Sequence, residues 1–260
     1  MNKMVRGVIL DLDGTVYRGE KLLPGARQSI HWLKEHSFPL VYISNKPLER
    51  RVDYAEKLTW LGIPTKPEEV IHSSLALVNY LQRAMPNSVI YAIGEGPLLD
   101  ELRTSFRLSD NIDEIDVVVA SFDRSFNYHK LNIGFQAIKR GARFFATNAD
   151  VTCPVADGEI PDAGAVIAAL EACSGKKVEL VAGKPSSLII EMALKKLNLP
   201  ASSCIVIGDR LETDILMGQR TGTATALVMT GVTSKDDLDA VTPKPDFVLN
   251  NLADLPAILS

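Results

Sequence analysis

Short apolar runs alternate along the chain with segments in which apolar residues repeat at helical spacing. The first run begins at residue 8, and the next segment places Ala26, Ile30 and Leu33 on one helix face. This alternation predicts an α/β fold with parallel strands and right-handed crossovers. Further strands are predicted at 40–45, 70–74, 89–93, 116–121, 143–148, 204–209, 225–231 and 246–249, and a strand with its following loop at 178–185. Helices are predicted near 26–33, 49–61, 75–85, 98–106, 130–140, 165–172, 188–197 and 213–220.

The middle of the chain repeats the strand and helix alternation without the pair of aspartates that follows the first strand. We therefore interpret residues 79–178 as an inserted module, and residues 1–78 with 179–260 as one discontinuous domain. Residues 150–164 in the insert are rich in Asp, Pro and Gly, which predicts a loop of the kind that carries function.

Composition excludes several classes of protein. The 260 residues are 46% hydrophobic and 23% charged, with a formal net charge of −4, which gives no indication of a nucleic-acid partner. Three cysteines without a C-x-x-C pair favour a reducing compartment. There is no apolar run near 18 residues and no apolar segment like that of a signal peptide at the start of the sequence. We expect a soluble, cytoplasmic protein with no membrane partner.

Two aspartates, Asp11 and Asp13, end the first apolar run and are followed by Gly14. Two residues apart on an extended strand, they point to the same side, and Gly14 allows a sharp turn. Carboxylates crowded at a buried strand end repel each other, and a divalent cation relieves that repulsion. The alternative interpretation of the pair alone is an Asx turn that closes the strand.

Three more predicted strands end in polar residues, namely Ser44 with Asn45, Lys184, and Asp209 with Asp214 nearby. Parallel strands carry all these ends to one edge of the sheet. Each motif alone also fits a turn, a solvated lysine or a helix N-cap. Carboxylates, a hydroxyl and an ammonium together favour a phosphate held with an oxygen-coordinated Mg²⁺.

These motifs resemble, in order, those of the haloacid dehalogenase-like (HAD) phosphatases. The similarity spans the chain and is greater to the NagD and p-nitrophenyl phosphatase branch. It implies a Rossmann-like parallel-sheet core with an inserted α/β cap of the C2 type. The stretches that carry it are 11–15, Ser44, 146–150, 161–164, 183–185, 208–215 and 230–232.

The resemblance implies a role for each residue at the predicted metal and nucleophile positions. Asp11 is implied as the nucleophile that becomes an aspartyl-phosphate, and Asp13 as the general acid and base. Mg²⁺ is the implied cofactor, held by Asp11, Asp209 and the Asp13 carbonyl, with Asp214 behind them holding a metal-bound water or Lys184.

The remaining implied roles concern phosphate and substrate. Ser44 and the Asn45 amide are implied as donors to phosphoryl oxygens, and Lys184 as a stabiliser of charge on phosphate and nucleophile. In the insert, Asn148 and Asp150 are candidate substrate-binding residues, although capping or surface roles stay open for both. The branch commonly has a second Asn where this chain has Lys46, which leaves neighbouring substrate contacts open.

The resulting hypothesis is a Mg²⁺-dependent phosphatase of small-molecule phosphomonoesters. Sugar phosphates and nucleoside monophosphates are the expected substrates, with p-nitrophenyl phosphate as an assay substrate, because a cap over the site selects the leaving group. Two alternatives are a phosphosugar mutase and a non-catalytic signalling module phosphorylated on Asp11. Many members of the branch form dimers, which makes a homodimer a candidate assembly.

Overall fold

The computed structural model describes residues 5–155 and 158–259, which form two compact units. The core unit comprises the chain up to Ser44, Arg51–Ile71 and the chain from Lys184 onward. The inserted unit comprises Asn45–Arg50 and His72–Gly183.

The strands and helices of the described residues alternate over most of the chain. The strands are β1 (Gly7–Asp11), β2 (Tyr17–Arg18), β3 (Lys21–Leu22), β4 (Leu40–Ser44), β5 (Val70–His72), β6 (Val89–Ile93), β7 (Arg107–Leu108), β8 (Val117–Ala120), β9 (Arg143–Ala146), β10 (Thr152–Val155), β11 (Gly158–Pro161), β12 (Leu180–Val181), β13 (Cys204–Gly208), β14 (Ala224–Val228) and β15 (Phe247–Leu249). The α-helices are α1 (Ala26–Glu35), α2 (Arg51–Trp60), α3 (Ser73–Ala84), α4 (Gly96–Arg103), α5 (Tyr128–Lys139), α6 (Ala163–Ser174), α7 (Ser187–Leu197), α8 (Leu216–Thr221), α9 (Lys235–Ala240) and α10 (Leu255–Leu259). A π-helical turn, Leu211–Ile215, precedes α8, and short 3₁₀ helices lie at Pro67–Glu69, Ala201–Ser203 and Leu252–Asp254.

The core unit is built on a six-stranded sheet in the order β15-β14-β13-β1-β4-β5. The central strand β1 pairs in parallel with β13 and with β4. All five residues of β1, of β4 and of β13 are buried, as expected for strands covered on both faces. Helix α1 packs through Ile30 and Leu33 into the same hydrophobic core, which confirms the predicted helical face.

The inserted unit has its own parallel sheet, in the order β12-β9-β8-β6-β7. Its hydrophobic core joins strand residues such as Val118 and Phe144 to helix residues such as Ile138 and Leu170. The predicted fold class, an α/β parallel-sheet core with an α/β insert, is therefore confirmed.

Residues 150–164 differ from the predicted loop. Strands β10 and β11 pair there as an antiparallel hairpin, with Thr152 opposite Pro161 and Cys153 opposite Ile160. The Pro and Gly residues of this stretch indicated a break in structure, although alternating apolar residues such as Val151, Cys153 and Val155 are compatible with a strand. A second short hairpin, β2 with β3, was also not predicted.

The boundaries between the two units lie at other residues than the sequence predicted. The predicted boundary at 78/79 falls inside α3, and this helix lies entirely in the inserted unit. The predicted boundary at 178/179 places β12 in the core domain, whereas β12 pairs with β9 of the inserted sheet. The described helices include none that is long and apolar enough to cross a lipid bilayer.

Candidate active site

The register of the core sheet brings the candidate strand ends together. Asp11, the last residue of β1, pairs with Ile43, so Ser44 lies one residue further along β4. On the other side, Leu10 pairs with Ile207, which sets Asp209 just beyond the end of β13. The carboxyl ends of β1, β4 and β13 thus share one edge of the core sheet, as the sequence predicted. The prediction is wrong for Lys184, because the strand that precedes it, β12, belongs to the inserted sheet, and Lys184 lies in the turn that follows.

Lys184 is held at this edge by two carboxylates. Its Nζ donates hydrogen bonds to Asp11 Oδ1 and, at 2.8 Å, to Asp214 Oδ1. All three residues are buried, and Asp214 has no exposed surface. Desolvation of a buried ion costs roughly several kcal/mol per charge. Each of the three groups therefore needs the opposite charge of its neighbours to stay ionised.

The second oxygen of Asp214 is also hydrogen-bonded. Asp214 Oδ2 accepts from the Arg210 backbone N–H and the Thr213 hydroxyl, both at 3.3 Å. The π-helical turn at Leu211–Ile215 places these donors, and such turns are frequent at functional sites. These two hydrogen bonds hold one oxygen of the Asp214 carboxylate, while the other oxygen accepts from Lys184.

Asp209 is fixed by backbone contacts. Its Oδ2 accepts from the Val232 N–H at 2.8 Å, and the Cβ of any residue larger than glycine at position 14 would overlap this carboxylate. Gly14 also has a φ of 92°, in the left-handed region that favours glycine. The Thr230 hydroxyl donates to the Gly14 carbonyl at 2.7 Å, so both loops are tied around Asp209.

The three aspartates have one ligand oxygen each within 4.8 Å of the others. Burial raises the pKa of Asp11 to about 8, with the Asp214 and Asp209 charges adding to the effect and Lys184 opposing it. Burial, with the Asp214 charge adding to it, raises the pKa of Asp209 to about 6. Burial lowers the pKa of Lys184, but the Asp11 and Asp214 carboxylates outweigh it and raise the net value. Lys184 therefore stays charged, and the three carboxyl groups are crowded beside it.

These residues fit a bound Mg²⁺. Asp11 Oδ2 is buried and has no hydrogen-bond partner among the residues that the structure describes. Carboxylate oxygens are the ligands that Mg²⁺ prefers, and a divalent cation balances the negative charge that Lys184 leaves over. Asp11 and Asp209 are the residues that would supply the carboxylate ligands.

Asp13 and Ser44 flank the buried cluster. Asp13 is half-buried and its loop closes on itself, because the Gly14 N–H donates to the Tyr17 carbonyl at 2.8 Å. Ser44 is buried, and its Oγ lies 3.4 Å from the hydroxyl of Tyr54 on α2. Tyr54 therefore lies within hydrogen-bond distance of the predicted phosphate donor.

Three candidate residues lie together in the inserted unit. Asn45 Nδ2 and Asn148 Nδ2 each donate to Asp150 Oδ2 at 3.0 Å, and Asn148 Nδ2 also donates to Asp162 Oδ1 at 3.0 Å. Asn148 is fully buried, whereas Asp150 is half-buried. The structure places Asn148 against protein groups rather than at a surface that a substrate could touch.

The sequence did not single out Tyr54, Val232 or Asp162 as site residues. Val232 lies in a stretch that carried the resemblance. It contacts Asp209 through its backbone N–H, and the identity of a side chain does not indicate such a contact. Asp162 lies in another such stretch. Tyr54 is ten residues beyond Ser44, and its helical position next to β4 depends on tertiary packing.

Comparisons with known proteins cover both motif regions. A haloacid dehalogenase-like hydrolase family model matches residues 8–105, which include Asp11 and Ser44. A HAD-hydrolase-like family model matches residues 181–255, which include Lys184 and Asp209.

Relatives and solved structures match nearly the whole chain. The sugar-phosphatase AraL of Bacillus subtilis is 37% identical over 250 residues, which are 96% of this chain and 91% of the relative. The 4-nitrophenylphosphatase of Thermotoga maritima superposes with a TM-score of 0.94 at 31% identity, covering 99% of this chain and 98% of that one. NagD of Escherichia coli K-12 gives a TM-score of 0.89 at 32% identity, covering 96% and 98%. The chain therefore belongs to the haloacid dehalogenase-like hydrolases, in the branch of NagD and the p-nitrophenyl phosphatases, and is a phosphoric monoester hydrolase.

Proposed function

We propose that the enzyme is a Mg²⁺-dependent phosphatase of small-molecule phosphomonoesters that acts through an aspartyl-phosphate. The observation that carries this proposal is the buried contact of Asp11 with Lys184 beside Asp209 and Asp214. One Asp11 oxygen is held by Lys184, and the other has no hydrogen-bond partner among the described residues. This leaves a carboxylate oxygen for a ligand.

In the first half of the reaction, an Asp11 carboxylate oxygen attacks phosphorus, and the bond between phosphorus and the ester oxygen breaks. Asp13 gives its proton to the departing oxygen, so the alcohol leaves neutral. Capture of the phosphoryl group on Asp11 splits one difficult displacement into two easier ones.

In the second half, water attacks phosphorus of the aspartyl-phosphate while Asp13 takes a proton from the water. Inorganic phosphate leaves and the Asp11 carboxylate is restored. Lys184, with Ser44 and the Asn45 amide as hydrogen-bond donors, stabilises the charge on the phosphoryl oxygens in both halves. Mg²⁺, when bound by Asp11, Asp209 and the Asp13 carbonyl, stabilises the same charge and lowers repulsion between the carboxylates.

Sugar phosphates and nucleoside monophosphates are the substrates that we propose, and p-nitrophenyl phosphate is the assay substrate. The names of relatives support this range, since AraL is a sugar-phosphatase, YutF of Bacillus subtilis a 5'-nucleotidase and the Thermotoga protein a 4-nitrophenylphosphatase. No observation favours the mutase or the signalling module over hydrolysis.

The test is Asp11→Asn, which keeps the side-chain shape and removes the nucleophilic carboxylate. With Mg²⁺ and p-nitrophenyl phosphate we expect a loss of kcat of about 10⁴-fold or more, as for other nucleophiles that act within a catalytic unit. Asp237→Asn is the matched control, because Asp237 is an exposed capping residue of α9, and it should keep full activity. Near-normal turnover by a folded Asp11→Asn enzyme would refute the mechanism.

A further inference from the structure

Asn148 uses all of its side-chain hydrogen-bonding groups on neighbouring protein atoms. Its two amide hydrogens go to the carboxylates of Asp150 and Asp162, each at 3.0 Å, and its oxygen accepts from the Thr147 hydroxyl at 2.9 Å. Thr147 in turn accepts from Ser121 at 2.7 Å. Asn148, Thr147 and Ser121 have no exposed surface, so this chain of bonds is a buried support and not a binding surface.

The support ends at Asn45. The Asn45 side chain donates to Asp150 Oδ2 at 3.0 Å, and the Asn45 carbonyl accepts from the Ser73 hydroxyl at 2.7 Å. The side chain and the backbone carbonyl of Asn45, the residue after Ser44, are therefore both hydrogen-bonded within the inserted unit. Since Asn148 donates to the same Asp150 oxygen, it sets the position from which Asp150 holds Asn45.

The same support also reaches Gly183, which precedes Lys184. The Gly183 N–H donates to the Thr147 carbonyl at 2.7 Å. A Cβ at this position would overlap Asn45 Oδ1 and would lie 2.8 Å from the Thr147 carbonyl oxygen. The backbone at Gly183 is thus packed directly against Asn45, with no room for a larger residue.

We infer that Asn148 and Asp150 are positioning residues for phosphoryl transfer, because they fix the residues next to Ser44 and Lys184 in the chain. This inference rests on the function proposed above. Displacement by about 1 Å of a group that binds the reacting phosphoryl can cost on the order of 100-fold in rate. Asp150 acts on the phosphoryl-binding groups through Asn45, and Asn148 acts through Asp150.

This role differs in its consequences from direct contact of Asp150 with the leaving group. Every phosphomonoester shares the phosphoryl group, so loss of positioning lowers turnover by one common factor. Loss of a leaving-group contact instead lowers turnover most for the substrate that makes that contact. Positioning through Asn45 also requires that the effect of Asp150 disappears once Asn45 has lost its side-chain amide.

The experiment is a double-mutant cycle of Asn45→Ala and Asp150→Ala in the full-length enzyme with Mg²⁺. Initial rates are measured on p-nitrophenyl phosphate, a hexose phosphate and a nucleoside monophosphate. We expect Asp150→Ala to lower kcat by about 10- to 100-fold on all three, with KM changed less than about threefold. In the Asn45→Ala background, Asp150→Ala should cost less than about twofold more.

Two controls separate positioning from loss of fold. Asn127→Ala removes the N-cap of α5 in the same unit and should lower stability by about 1 kcal/mol while leaving kcat and KM of the folded enzyme unchanged. Asp150→Asn keeps the side-chain shape and serves where Asp150→Ala does not fold. Additive losses in the cycle, or losses that differ tenfold among substrates, would overturn the inference. Failure of the proposed function is recognised separately, because the wild-type enzyme would then hydrolyse none of the three esters.

Discussion

Lys184 donates a hydrogen bond of 2.8 Å to Asp214, and both side chains are almost completely buried. The two residues are far apart in sequence. Lys184 also donates to Asp11, and Asp214 also accepts from the Arg210 N–H. An ion pair of this kind is costly to break from one side, because the partner is left charged in a medium of low polarity. The pair therefore couples stability of the core unit to the predicted catalytic groups.

Lys184→Met should lower both activity and stability. The buried carboxylates lose their only ammonium partner among the described groups of this cluster, which predicts a loss of about 3–5 kcal/mol in unfolding free energy. Loss of a preorganised charge at the phosphoryl site predicts a drop in kcat of about 10²–10³-fold. Denaturant titration and p-nitrophenyl phosphate kinetics measure the two effects. A Met variant with wild-type kcat would remove Lys184 from the mechanism.

Much of the site was predictable because it lies at strand ends. The apolar run before Asp11 identified a buried strand, and parallel strands bring Ser44 and Asp209 to the same edge regardless of their distance in sequence. The register that sets Asp11 opposite Ile43 confirms this expectation for the core unit. Chemistry placed by regular structure is therefore recoverable from the sequence.

The parts that were not predicted depend on tertiary contacts or on turn chemistry. Tyr54 meets Ser44 only because α2 packs beside β4, which no local pattern records. The hairpin of β10 and β11 contains Pro and Gly residues that favour a break, yet antiparallel pairing outweighs this local preference. Residues 45–50 belong to the inserted unit through contacts such as Asn45 with Asp150, although in sequence they directly follow β4.

Asp214→Asn should weaken Mg²⁺ binding in addition to destabilising the fold. Asp214 is oriented by Arg210 and Thr213 and pairs with Lys184, so its charge is part of the field around Asp11. Loss of a supporting carboxylate of this kind typically costs about 10- to 100-fold in metal affinity. The Mg²⁺ concentration for half-maximal activity should rise by that factor. An unchanged Mg²⁺ requirement would limit Asp214 to a structural role.

Mg²⁺ should stabilise the core unit in the absence of substrate. At 100 times its dissociation constant, a ligand adds about 2.7 kcal/mol, which corresponds to a rise of about 5–10 °C in the melting temperature of a domain of this size. The metal-free protein, prepared with a chelator, is compared with and without added Mg²⁺ by calorimetry. Asp209→Asn serves as the comparison and should lose most of the shift. An equal shift in both proteins would place the Mg²⁺ site elsewhere.

Tyr54→Phe should reduce turnover modestly through Ser44. The two hydroxyl oxygens lie 3.4 Å apart, and a hydrogen bond of this type contributes about 1 kcal/mol, or about fivefold in rate, when it orients a reacting group. Tyr42→Phe is the matched control, since Tyr42 is also a buried tyrosine and its hydroxyl has no hydrogen-bond partner among the described residues. The ratio of kcat/KM between the two variants measures the effect. A ratio near one would show that Tyr54 does not orient Ser44.

Gly14→Ala should impair Mg²⁺ binding in addition to straining the backbone. Gly14 has a φ of 92°, and its added Cβ would overlap the Asp209 carboxylate, which has no space to retreat because the Val232 N–H holds it at 2.8 Å. Backbone strain alone costs about 1–3 kcal/mol.

Gly19→Ala isolates the contribution of backbone strain, since Gly19 also has a positive φ, of 57°, but its Cβ would meet no atom within 4 Å. Both variants should melt at lower temperature, whereas only Gly14→Ala should raise the Mg²⁺ concentration needed for half-maximal activity, by about tenfold or more. If the two variants needed the same Mg²⁺ concentration, the close approach of Gly14 to Asp209 would have no part in metal binding, and the glycine would serve the turn alone.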